Sequence, residues 1–122
     1  MDSIASADTL EITTAGRRTG KPHTATIWFV VHDGKVYVST DDISRRDWAR
    51  NLVANPDVTV IVANRGFRGH GHLITDEALR STVAGIRRDK YHGAFIEWTR
   101  VYFEVSLEES GRPSGVPFGM QA

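Results

Sequence analysis

Two short stretches of this chain concentrate groups that grip anions. Between Gly16 and Lys21 the sequence sets Arg17, Arg18, Thr19, Gly20 and Lys21 side by side, with no acidic residue from Ile12 to His32. Glycines free backbone N–H groups, the Thr19 hydroxyl can donate, and planar guanidinium forks match phosphate oxygens. The same residues also suit a solvated basic hairpin turn. Further on, Arg45, Arg46 and Arg50 gather where a helix is expected to begin. The unpaired N–H groups and the dipole of a helix start favour an anion as well. Asp47 lies inside that cluster and offers Arg46 or Arg50 a salt bridge, so a salt-bridged helix surface is the alternative. Both clusters in one small chain point to an elongated anion.

Other candidates carry less. In Phe67-Arg68-Gly69-His70-Gly71-His72 the alternation sends Arg68, His70 and His72 to one side of a strand and leaves two bare glycines on the other. The bare side marks a packed barrel corner or the back of a cofactor slot. His70 and His72 stand within reach of one metal ion, yet no third ligand is evident, so no metal site is expected. Tyr91 follows Arg87-Arg88-Asp89-Lys90 near a helix end, where a phenol among cations can orient a polar substrate or simply close the helix. Trp28, Trp48 and Trp98 are read as core or interface residues. Nucleophile-elbow, Walker and dinucleotide glycine patterns are missing, so neither a hydrolase triad nor a P-loop is supported.

The elements that must position these residues are strands and two helices. Thr9 to Thr14 alternates, Thr24 to His32 is β-branched and aromatic, and Asp33-Gly34 is a strong hairpin signal before the strand Lys35 to Thr40. Ser44 and Asp47 have capping-box spacing ahead of a helix from about Arg45 to Ala54, which Pro56 stops. Val58 to Ala63 is an apolar strand, Asn64-Arg65-Gly66 turns it, and Phe67 to Thr75 returns. Asp76 is placed to cap a helix from Glu77 to about Tyr91, with Leu79, Val83, Ile86 and Lys90 at helical spacing, and Trp98 to Leu107 reads as the closing strand. This order, β-β-β-α-β-β-α-β, gives a β-rich α+β fold of about six antiparallel strands closing into a small barrel.

Composition sets the outer limits. The chain has 122 residues, 40% hydrophobic and 25% charged, which suits one globular domain. Expected boundaries are a flexible N-terminus at 1–7, the cofactor-binding barrel at 8–109 and a flexible tail at 110–122. Fifteen basic and fifteen acidic side chains cancel, so no broad field draws nucleic acid or an anionic membrane. Cysteine is absent, which removes disulfides, thiolate nucleophiles and Cys-ligated zinc. With no basic, apolar leader at Met1-Asp2-Ser3-Ile4 and no apolar run of spanning length, the expected location is the cytoplasm.

Thr13-Thr14-Ala15-Gly16-Arg17-Arg18-Thr19-Gly20-Lys21-Pro22, then Asp33-Gly34, then Asp47-Trp48-Ala49-Arg50-Asn51-Leu52-Val53-Ala54-Asn55-Pro56-Asp57-Val58, resemble the deazaflavin-dependent nitroreductase family. That family belongs to the flavin-reductase-like split β-barrels, relatives of pyridoxamine-phosphate oxidase. The resemblance implies a split barrel, usually a homodimer, that binds the deazaflavin F420 and passes its hydride to a nitro, quinone or enone-type acceptor. The cofactor then supplies the chemistry, and no catalytic Ser, Cys or His is needed. Carried over by position, Arg17, Arg18, Thr19, Gly20 and Lys21 would lie along the anionic parts of the cofactor, and His23, Thr24 and Ala25 would lead to its ring. Ser39 and Thr40 would end a strand beside it. Arg45, Arg46, Trp48 and Asn51 would grip the phosphate or glutamyl tail, and Tyr91 would face the acceptor. His23 stands where the family commonly has another basic residue. FMN is the alternative cofactor, and a non-catalytic carrier of a cofactor or small ligand is the alternative role.

Overall fold

The computed structural model describes residues 2–93 and 101–109. Its elements run α1 (Asp2–Ala5), β1 (Leu10–Ala15), β2 (Pro22–Ile27), β3 (Val30–His32), β4 (Lys35–Thr40), a 3-10 turn (Ile43–Arg45), α2 (Asp47–Ala54), β5 (Asp57–Val62), β6 (Arg65–Leu73), α3 (Glu77–Lys90) and β7 (Val101–Glu109). All pairings are antiparallel, and the seven strands form one curled sheet in the order β2-β1-β5-β6-β7-β4-β3. Trp98 and the expected tail lie outside the described residues.

The alternation of apolar residues decides which face of the sheet closes inward. Leu10 and Ile12 of β1, Val58, Val60 and Val62 of β5, and Phe103 and Val105 of β7 are all buried in one cluster. Burying each aliphatic side chain contributes about 1.5–3 kcal/mol. Trp48, Ala49 and Leu52 of α2 join the same cluster, so this helix plugs the interior of the curl. Gly71 faces that plug, and Gly69 faces the side chains of Val58, Val105 and Leu107 on the neighbouring strands. A Cβ on Gly69 would lie 2.9 Å from Val105 Cγ1, and one on Gly71 would lie 2.9 Å from Leu52 Cδ1. The bare side of β6 is therefore a packing requirement. On the opposite face, α3 covers Val30, Tyr37, Ile74 and Tyr102 through Val83.

About six strands were expected and the described residues form seven, because Thr24 to His32 is not one strand. The chain leaves β2 at Ile27, bends through Trp28 and Phe29, and re-enters the sheet as β3 on the opposite edge. A residue in such a bend loses its ladder partners, and α3 replaces them. The Tyr91 hydroxyl accepts from Phe29 N–H (3.1 Å), and Lys90 Nζ donates to Phe29 O (2.9 Å).

Other differences are local. Residues 1–7, expected to be loose, contain α1, whose Ile4 is fully buried in the main core. The expected Ser44 capping box does not form. Asp42 instead accepts from Ser44 N (2.9 Å) and Ser44 Oγ (2.8 Å), which starts a 3-10 turn before α2. The β5–β6 turn sits at Ala63 (φ 52°) and Asn64 (φ 63°), one step before the expected Asn64-Arg65-Gly66. Asp33 (φ 54°) and Gly34 (φ 77°) make the hairpin turn their sequence announced. Asp76 caps α3 through Leu79 N, at 3.0 Å.

Candidate functional site

The first basic stretch is a tight turn between β1 and β2. Gly16 N–H donates to Lys21 O (2.8 Å), Gly20 N–H donates to Gly16 O (2.8 Å), and Gly20 takes a positive φ of 75°. The Thr19 hydroxyl accepts from Lys21 N–H at 3.2 Å, so it serves the turn itself. Arg18 and Lys21 are exposed and form no ion pair among the described residues. Arg17 differs. It folds back on α2, where its backbone N–H (3.2 Å) and its Nη1 (2.9 Å) both donate to Asn51 Oδ1.

Asn51 is 1% exposed, and its Nδ2 donates to Thr14 Oγ1 at 3.1 Å. The residue expected to grip a ligand tail is therefore a buried clamp holding β1, the basic turn and α2 together. The clamp brings the two basic stretches into one place. Asp47 Oδ1 lies 3.8 Å from Arg17 Nη1 and also receives Arg50 Nη2, while Asp47 Oδ2 lies 3.5 Å from His23 Nε2. Arg45 and Arg46 pair with Asp41 at 3.6 and 3.8 Å. Of the partners expected for Asp47, Arg50 takes the bond and Arg46 does not. The hydrogen bond from Arg50, aided by Arg17 and His23, holds the Asp47 carboxyl below the usual carboxylate range.

These charges edge a pocket. His23, Thr24, Ala25, Arg45, Arg46, Asp47 and Trp48 line a space of about 230 Å³. Ala25, Arg46 and Trp48 are shared with a larger cleft of about 670 Å³ between β2, the end of β4 and α3. Ser39 and Thr40 stand on one side of that cleft, and Ile27, Trp28 and Arg87 on the other. A cleft of this size accommodates a cofactor-sized ring system. Its donor set fits the anionic cofactor the sequence pointed to: guanidinium groups and an imidazole at one end, and at the other aliphatic and aromatic walls with the hydroxyl residues Thr26, Ser39 and Thr40 beside Asp41 and Arg87. Thr40, at 6% exposure, also bonds locally to Asp41 Oδ1 (3.1 Å). A second groove of about 770 Å³ runs along β1, β5, β6 and β7, but of the residues singled out for the cofactor it contains Gly20 alone.

Tyr91 is placed differently from expectation. Its hydroxyl is within 2.8 Å of the carbonyls of Phe29 and of Asp8, as well as accepting from Phe29 N–H. Its ring stacks on Trp28 with centroids 4.2 Å apart and planes 7° from parallel. Tyr91 thus stands behind Trp28, and Trp28 is the residue that lines the cleft. Desolvation raises the Tyr91 phenol above its ordinary pKa, so it remains protonated at neutral pH. His70 pairs with Asp57 (3.0 Å) and His72 with Glu104 (3.2 Å), and no metal-ligating group of three exists among the described residues.

Sequence reasoning missed Asp41, Trp28 and Arg87 as cleft residues. Arg87 is 8% exposed, and its guanidinium lies 5.4 Å from the Trp28 ring centroid and 5.8 Å from that of Tyr91. The spacing Val83, Arg87, Tyr91 could have revealed it, since positions four apart share a helix face. Reading the face through Ile86 and Lys90 rotated it away.

A curled antiparallel half-barrel of this strand order, with its helices packed on the sheet, has the fold of the split β-barrel class. Within that class, the chain belongs to the F420H(2)-dependent quinone reductase family, whose sequence model matches residues 2–100. It is accordingly an F420-dependent type of oxidoreductase. No curated protein sequence matches it.

Solved structures agree on the fold. HutZ, the heme storage protein from Vibrio cholerae, superposes with a TM-score of 0.71 at 20% identity, covering 85% of this chain and 84% of its own. An F420-H2 dependent reductase, FDR-A, gives 0.67 at 18%, covering 83% and 94%. A structure described as an F420 reductase gives 0.60 at 20%, covering 88% and 92%. No helix among the described residues is long and apolar enough to cross a membrane.

Proposed function

We propose that this chain is a reductase that binds reduced F420 and passes hydride to a quinone, nitro or enone-type acceptor. The observation that carries the reading is the continuity of the small cationic pocket with the larger apolar cleft through Ala25, Arg46 and Trp48. When bound, the reduced deazaflavin supplies the hydride, two electrons and one hydrogen, and the chain's own residues bind, orient and exclude water.

In this reading Arg45, Arg46 and His23 hold the phosphate, with Arg17, Arg18 and Lys21 contributing charge from the neighbouring turn. Ala25, Ile27, Trp28 and Trp48 form the walls of the ring site, and Thr24, Ser39 and Thr40 border it. Asn51, Thr19 and Gly20 act through shape, keeping the turn against α2. Tyr91 positions Trp28. A cytoplasmic homodimer is the form proposed to act, because a small barrel with a cleft this open gains water exclusion from a second copy.

The test is titration of the purified protein with reduced and oxidised F420 and separately with FMN, following fluorescence at low and high salt. Micromolar, salt-sensitive binding of F420 supports the reading. Arg46→Ala is expected to weaken it about tenfold or more, the loss of one charge-assisted bond. Binding of FMN alone would move the protein to the FMN branch of the fold. The likeness to a heme storage protein favours a second reading, a non-catalytic carrier. F420 binding without turnover on a panel of quinones and nitroaromatics would support that role.

A further inference from the structure

We infer that Asp47 determines specificity by admitting a singly charged phosphodiester and disfavouring a doubly charged phosphomonoester. The inference rests on the proposed cofactor site and names what that site selects. Asp47 is the shared anion of the cluster, contacting Arg17 from the β1–β2 turn, His23 from β2 and Arg50 from its own helix. It lines the same small pocket as Arg45 and Arg46, which are themselves held by Asp41. Four guanidinium groups therefore meet two resident carboxylates before any ligand arrives.

A phosphate entering this pocket shares its cations with Asp47 and lies within a few ångströms of it. Repulsion from a fixed carboxylate scales with the charge on the incoming group. The phosphate of F420 is a diester with one charge, whereas that of FMN is a monoester whose second charge develops near pH 6. The resident carboxylate costs the monoester more, in a cleft whose walls accept either ring. Both ligands meet the same surrounding cations, so the ratio of their affinities reports on Asp47.

The experiment compares F420 and FMN on the wild type and on Asp47→Asn, with thermal melts to establish that the variant is folded. The variant should gain about tenfold in FMN affinity at pH 7.5 and change by less than about threefold for F420. At pH 5.5, where FMN carries chiefly one charge, its gain should fall towards that of F420. A general charge effect predicts the opposite, because F420 carries further carboxylates on its glutamyl tail and would gain at least as much.

Equal gains, or an FMN affinity that stays undetectable in the variant, would overturn the inference. Loss of affinity for both ligands would also overturn it, by making Asp47 only a scaffold for Arg17 and Arg50. Failure of the wild type to bind F420 at all is a separate result that removes the proposed cofactor reading itself.

Discussion

Helices α2 and α3 are each tied to the sheet by polar side chains, and the two ties differ in what they leave free. At the α2 corner a buried amide, Asn51, satisfies Arg17 and Thr14, and the cations around it remain at the rim of a pocket. At the α3 corner a phenol and an ammonium, Tyr91 and Lys90, satisfy the backbone of the Phe29 bend, and aromatic faces stack over them. Both corners contain arginines and an aromatic residue, which is why both read as ligand sites in sequence. They part at the backbone. The bend at Phe29 has lost its ladder partners and consumes the polar groups nearby, while the β1–β2 turn is satisfied by its own backbone, Thr19 and Asn51 and leaves Arg18 and Lys21 exposed.

Breaking the α2 tie should have the largest effect. Asn51→Ala removes three hydrogen bonds made by a buried amide and should lower stability by about 3 kcal/mol. Urea unfolding measures this, and F420 binding should fall with it as Arg17 is released. At the other corner, Tyr91→Phe keeps the stack on Trp28 but removes the bonds to Phe29, for a loss of about 1–2 kcal/mol with F420 affinity unchanged. Hydride transfer abolished in Tyr91→Phe at unchanged stability would break the comparison and return Tyr91 to the chemistry.

The corners should also fail at opposite ends of the pH scale. Asp47 has its pKa depressed in the fold, chiefly by Arg50, so its contribution is present above about pH 4, the unfolded value, and is lost as pH falls through the folded one. The phenol of Tyr91 is raised, chiefly by desolvation, so its contribution is present below about pH 10 and lost as pH rises above that. Lys90, lowered by desolvation, acts in the opposite direction in the alkaline range, so the difference between wild type and Tyr91→Phe isolates the phenol. Urea midpoints from pH 2.5 to 5 for Asp47→Asn, and from pH 9 to 11 for Tyr91→Phe, should each be flatter than those of the wild type.

The smallest effect lies away from both corners. Ala63→Gly in the β5–β6 turn relieves a positive φ and should raise the melting midpoint slightly, by about 0.5 kcal/mol of stability. It sets the scale for a change that touches neither tie.

Much of this architecture was legible in the chain. Asp33-Gly34 marked its hairpin, Asp76 its helix start, and the β-branched runs their strands, because turn chemistry and period-two alternation act between near neighbours. The break between β2 and β3 was not legible. Trp28 and Phe29 are as suited to a strand as their neighbours, and only closure of the curl forces the chain to change edges there.

The cluster of cations was written into the sequence as types and spacing, for the same local reason. Its use was decided by the tertiary structure. Asn51 lies thirty-four positions from Arg17 and Tyr91 sixty-two from Phe29, and no local pattern encodes such contacts. Which polar side chain is spent on the backbone, and which is left to meet a ligand, follows from where folding strands an unpaired N–H or C=O.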